Sequence, residues 1–261
     1  MKISTTKAVG NDALKILIYG ESGSGKTTLA GTINEPTLII SAEAGLLCLS
    51  DKQIDVIDIS RDDDGRLIPK ESRIDRLGEA YKYILSDEAK KKYKWIFIDS
   101  LTEISQCLMD KLSVEYPEKS QSLVMYGENA KRMRSLVKSF RDIAEYNIVM
   151  TALSQNEKDE NNQRFIGISA VGSIADKLPA FFDGVFYLHV EQNKETGEER
   201  RMLITSKTDK LMVKDRSGKL NKVEPANLSV IAEKIKVKTE EPKKEAKQDP
   251  KVETTSKEKT K

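Results

Sequence analysis

Short apolar runs recur along this chain, and most are followed by a stretch with helical spacing. Residues 14–19, 37–41, 94–99 and 147–153 (LKILIY, TLIIS, KWIFID, NIVMTAL) are continuously or almost continuously apolar and rich in β-branched side chains, as buried strands are. A short third strand is expected at 55–59. Between them, 27–33 (TTLAGTI) can open a helix. Residues 74–92, 101–114 and 123–146 carry helical spacing, with charge on the exposed faces. Further on, 183–190 and 201–206 flank NKETGEER, whose Thr-Gly turn predicts an antiparallel hairpin, with a further short strand at 211–213. Strand, loop and helix in repeated order predict an α/β fold: a mainly parallel sheet with crossover helices and a C-terminal antiparallel hairpin.

One of the connecting loops carries chemistry. Residues 20–28 read GESGSGKTT, a full match to the G-x-x-x-x-G-K-[ST] phosphate loop, placed between a strand and a helix start. Gly20, Gly23 and Gly25 let the backbone curl towards the phosphates. The N–H groups of Glu21, Ser22, Ser24 and the following helix N-terminus, Thr28 included, can point at anionic oxygens. Lys26 is placed for the β- and γ-phosphates and the Thr27 hydroxyl for Mg²⁺. The loop predicts a nucleoside triphosphate ligand, ATP with Mg²⁺.

Composition adds little to the core and much to the tail. The chain has 261 residues, 33% charged and 38% hydrophobic, with a net charge of +2. Residues 236–261 hold nine Lys against five Glu and one Asp, which leaves the remainder close to neutral. We expect an ATPase domain over 1–232 and a disordered charged tail over 233–261, either solvated or tethering a partner. Cys48 and Cys107 suggest neither a disulfide framework nor a metal site. His189, the only histidine, lies in an apolar run and is expected to be buried or on an edge strand. No signal peptide or membrane-length apolar run is visible, so a soluble cytoplasmic protein is expected.

Three residues extend the phosphate loop into a candidate active site. Asp99 closes KWIFID, and a carboxylate at that strand tip can hold Mg²⁺, although it could equally cap the helix that follows. Glu43, in IISAEAG, can act as general base on the attacking water where its strand neighbours the first; the alternative is a helix-start glutamate. Gln155 follows NIVMTAL and can sense the γ-phosphate, or be an ordinary loop residue.

The set GESGSGKTT, IISAEAG, WIFIDS and TALSQ, in this order over roughly residues 10–220, resembles the RecA-like ATPase core. Within it, the chain is similar to the compact phage-encoded group related to single-strand annealing and recombination proteins, labelled AAA-type. The resemblance implies Lys26 and Thr27 on phosphate and metal, Asp99 on the metal, Glu43 as base and Gln155 as switch. Segment LMVKDRSGKL is similar to the Lys-x-Arg finger of DnaB-type helicases, where the pair reaches a neighbour's nucleotide. Lys214 and Arg216, at alternate positions, would point the same way. That implies a homo-oligomer, ring or filament; the alternative is a basic surface turn. The chain has no room for RecA's additional domains, which favours annealing or partner-assisted loading over autonomous strand exchange.

Single-stranded DNA is the implied partner, with a single-strand-binding or replication protein as a second. The polar segment 156–165 occupies the place of the DNA loop, where Arg164 and Phe165 could give a charge and a stacking ring. Glu157, Asp159 and Glu160 oppose tight phosphate contact there. The basic run Lys131, Arg132, Arg134, Lys138, Arg141 can be a solvated face. The expected function is a DNA-stimulated ATPase in phage-type recombination. A replication motor or loader acting on a protein is the alternative, and a small-molecule kinase a third.

Overall fold

The apolar runs are buried, except at Lys94 and Leu153 on their ends, because helices or turns cover both faces of the sheet they form. A computed structural model describes residues 13–43, 45–119, 123–158, 162–193 and 196–236. Its strands are β1 (Lys15–Gly20), β2 (Thr37–Ser41), β3 (Asp55–Asp58), β4 (Trp95–Asp99), β5 (Asn147–Lys158), β6 (Arg164–Ile168), β7 (Gly184–Gln192), β8 (Glu199–Ile204), β9 (Lys214–Asp215) and β10 (Val223–Pro225). They form one mixed sheet in the order β10-β8-β7-β1-β5-β4-β2-β3, with β6 on β5 and β9 on β7. From β7 to β3 every pairing is parallel; β7–β8 and β8–β10 are antiparallel. The expected α/β class, parallel sheet and C-terminal hairpin are all present.

The two faces are covered differently. On one, Leu17, Tyr19, Ile98, Ile148 and Met150 pack beneath α1 (Lys70–Ile84), α3 (Leu101–Glu115) and α4 (Leu123–Arg141). On the other, Ile16, Ile18, Phe97 and Val149 meet Leu29 and Ala30 of a 3₁₀ turn at Thr27–Thr32 and α5 (Leu228–Lys236). Trp95 is fully buried there and donates its indole N–H to Glu35 at 2.7 Å.

Several boundaries differ from the sequence reading. The helix expected at 74–92 is two helices, α1 and a short α2 (Asp87–Lys92), because Ser86 leaves the helical path and caps the second by accepting from the Ala89 N–H at 3.2 Å. The helix expected to reach 146 ends at Arg141. The segment after the phosphate loop is 3₁₀ rather than α. Residues 211–213 do not form a strand: Leu211 makes isolated bridges, and the strand that follows is Lys214–Asp215. The polar segment read as a loop from 156 continues β5 to Lys158 and returns as β6, with 159–161 outside the described residues. Helix α5 runs past the domain boundary expected at 232, and the rest of the tail, 237–261, lies outside the described residues. Both cysteines are free. No helix among the described residues is long and apolar enough to cross a membrane.

Candidate phosphate-binding site

The site sits where β1, β5 and β4 end side by side. Gly20 closes β1, and the loop that follows turns on Gly23 and Gly25, whose φ values of 76° and 95° suit a residue without Cβ. Lys26 is buried and donates to the carbonyls of Gly20 at 3.0 Å and Glu21 at 2.8 Å. Burial pulls its pKa below the usual lysine value, and the nearby Asp99 and Glu43 carboxylates partly oppose that.

Thr27 and Asp99, the two expected metal ligands, are in direct contact: the Thr27 hydroxyl donates to Asp99 Oδ2 at 2.6 Å. The other carboxylate oxygen of Asp99 accepts from Thr151 Oγ1 on β5. Asp99 is thus fixed from both sides, and it is buried. It does not cap the next helix. That cap is Ser100, which accepts from the Glu103 N–H at 3.3 Å.

Glu43 reaches this cluster by a route other than the one its sequence position predicts. Strand β2 is not beside β1, since β5 and β4 lie between them. Glu43 approaches instead over the end of β4, where its carboxylate accepts from the Ser100 hydroxyl. No helix starts at Glu43; a 3₁₀ turn begins three residues later, at Leu46–Leu49. Glu43 is exposed, and so open to water.

The arrangement fits a nucleoside triphosphate. Ser24 Oγ is buried without a partner inside the loop, a polar atom free for a ligand. Glu21, Ser22, Gly23 and Ser24 also wall a cavity of about 810 Å³ shared with Tyr187 and Lys210. Thr27 and Asp99 supply one hydroxyl and one carboxylate, the small protein share that Mg²⁺ takes when phosphates and water complete its shell. Among the described residues no group of three or more His, Cys, Asp or Glu is placed to hold a metal unaided.

A family model described as "AAA domain" matches residues 12–217. The chain belongs to the AAA domain family. Membership makes this AAA domain a nucleotide-binding protein of the ATPase type. No curated protein matches it. Among solved structures it is similar to the assembled ATPase EscN of the type III secretion system of enteropathogenic E. coli, with 19% identity, a TM-score of 0.44, and coverage of 67% of this chain and 43% of that one. A prototypical type III secretion ATPase of pathogenic bacteria gives 17% identity and a TM-score of 0.41, covering 68% and 52%. A KaiC-like protein from Pyrococcus horikoshii gives 12% and 0.37, covering 76% and 80%. This AAA domain thus spans about half the length of the two secretion ATPases or less.

The remaining candidates lie outside the phosphate loop. Gln155 is within β5, opposite Gly167, and its amide donates to Glu157. Arg164 is exposed and Phe165 half-buried on β6, the latter opposite Glu157. Lys214 and Arg216 do point the same way: Lys214 donates to Pro179 O at 2.6 Å, Arg216 to Ala180 O at 3.2 Å and Asp183 at 3.3 Å. Their strand pairs with β7 at Gly184, level with Ile16 of β1, which puts them about 13 Å short of Gly20 along the strand direction. In the basic helix, Lys131 pairs with Glu128, Arg132 with Glu115 and Glu128, and Arg141 with Asp142, so much of that charge is neutralised locally. His189 is exposed on β7, two residues beyond Tyr187, the last that pairs with β1.

Sequence reasoning missed Thr151 and Arg201. Thr151 stands within an apolar run where β-branching alone accounts for it. Arg201 sits in a charged run on β8 and donates to Ser24 O at 3.2 Å across the loop.

Proposed function

We propose that this protein is a Mg²⁺-dependent ATPase that works as an oligomer on single-stranded DNA, in recombination or annealing of the phage type. The observation that carries the ATPase reading is the Thr27–Asp99 contact at 2.6 Å beside the buried Lys26. It joins the phosphate loop to the one carboxylate a metal–nucleotide complex needs at this strand tip. Mg²⁺ at Thr27 and Asp99 would neutralise charge on the β- and γ-phosphates. Glu43, exposed at the rim and oriented by Ser100, takes the proton of the attacking water. Lys26 steadies the phosphate charge.

Support for assembly comes from position. Lys214 and Arg216 lie towards the far end of the strands from the loop of their own chain, about 13 Å from Gly20, so a role on phosphates belongs to a neighbour's nucleotide. Support for a DNA switch comes from the Gln155–Glu157 bond, which links the end of the buried part of β5 to the hairpin carrying Arg164 and Phe165. The acidic character of that hairpin favours the second reading, a motor or loader acting on a protein.

The test is turnover with and without single-stranded DNA, and in mixtures. Stimulation by DNA is expected. Lys26→Ala and Lys214→Ala proteins, each inactive alone, are expected to regain activity on mixing, because each supplies the half-site the other lacks. Absence of rescue in confirmed mixed oligomers would remove the trans role. Turnover indifferent to DNA would move the function to a protein partner.

A further inference from the structure

The phosphate loop is held from outside by a residue of a distant strand. Arg201 on β8 is paired with Val190 of β7 and extends over the loop. Its Nε donates to the Ser24 carbonyl at 3.2 Å, and its Nη2 pairs with Glu199 at 2.7 Å on the solvent side. The same guanidinium fills the space a side chain at Gly25 would need: a Cβ there would lie 2.9 Å from Arg201 Nε and 3.1 Å from Cδ. The φ of 95° at Gly25 favours a residue without Cβ, and a side chain there would also push the arginine off the loop.

The bond has a directional consequence. Ser24 C=O and Gly25 N–H belong to one peptide unit, which is trans, so the two point in opposite directions. An arginine that draws the carbonyl outwards turns the N–H inwards, towards the space the loop encloses. Ser24 Oγ, buried and unpartnered, lies in the same part of the loop. An inward N–H in a curled glycine loop is what an anion nest consists of.

We propose that Arg201 is a positioning residue for nucleotide binding: it fixes the Ser24–Gly25 peptide in the orientation that presents the Gly25 N–H to a phosphate. This rests on the reading of the loop as a nucleotide site. Arg201 acts through the backbone and needs no contact with the γ-phosphate, so it serves diphosphate and triphosphate alike. Because it belongs to the β7–β8 ribbon, it also ties the shape of the loop to that ribbon. Glu199 keeps the guanidinium at the loop from the solvent side.

The test is equilibrium titration of Arg201→Gln and Arg201→Lys with fluorescent ADP and a fluorescent non-hydrolysable ATP analogue. A hydrogen bond from a charged donor sets the scale, and Arg201→Gln is expected to weaken both nucleotides about tenfold by the same factor. Arg201→Lys, which keeps a cationic donor, is expected to recover part of that loss. In turnover assays the change is expected in KM rather than kcat. Arg201 is 42% exposed at its side chain, so the fold is expected to survive, with melting as the check. Unchanged affinity in Arg201→Gln overturns the positioning role while leaving the nucleotide site intact. A loss confined to the ATP analogue overturns it in favour of a direct γ-phosphate contact. Failure of the wild-type protein to bind either nucleotide overturns the site reading itself.

Discussion

The Asp99 corner and the β5–β6 hairpin both draw on β5 and are built in opposite ways. At Thr151, β5 is buried between β1 and β4, and its hydroxyl completes the bonding of Asp99. Four residues later, at Gln155, the strand has left the sheet and pairs only with β6, and Gln155 finds its partner in Glu157 of the same strand. Packing from two neighbouring strands fixes the first region in one geometry. The second is held mostly by the backbone ladder of a two-stranded ribbon, a weak structure by itself. A site that binds phosphate gains from the first kind of construction, and an element that must change shape gains from the second.

The comparison can be broken at its rigid end first. Glu43→Gln removes the proposed base but keeps the shape and a hydrogen-bond acceptor for Ser100. Turnover is expected to fall about a hundredfold or more with ATP binding retained, measured by steady-state hydrolysis and nucleotide titration. Lost affinity with a preserved turnover number would make Glu43 structural. Thr151→Val is isosteric and deletes only the hydroxyl that orients Asp99. The Mg²⁺ concentration for half-maximal turnover is expected to rise about tenfold, the scale of losing a partner behind a metal ligand. An unchanged Mg²⁺ requirement would reduce Thr151 to packing. At the adaptable end the expected effect is smallest. Arg164→Ala is expected to shallow the log–log salt dependence of single-strand binding by about 0.7, one phosphate contact. An unaltered slope would take Arg164 off the DNA path.

What the sequence made legible follows the same division. The loop, the strand ends carrying Glu43 and Asp99, and the α/β order all depend on local pattern and could be read directly. Contacts between remote segments could not. Arg201 and Ser24 are 177 positions apart, and Arg201 reads as one more charge beside Glu199 and Arg200. Ser100, not Asp99, caps α3, because a cap depends on which of two neighbouring side chains turns back to the Glu103 N–H. The insertion of β5 and β4 between β1 and β2 is likewise a matter of strand order, which hydrophobic spacing does not encode. The hairpin reads as a loop because its polar residues lack the apolar alternation of a half-buried strand.

Trp95 is the sole tryptophan, fully buried on the strand that ends in Asp99, with its indole tied to Glu35. It begins that strand, about 13 Å from the carboxylate that closes it. Its emission therefore works as an optical gauge of the sheet: blue-shifted while β4 stays in place, red-shifted once water enters, and insensitive to chemistry at the phosphates. A variant that loses turnover with this spectrum unchanged has lost function and kept its fold.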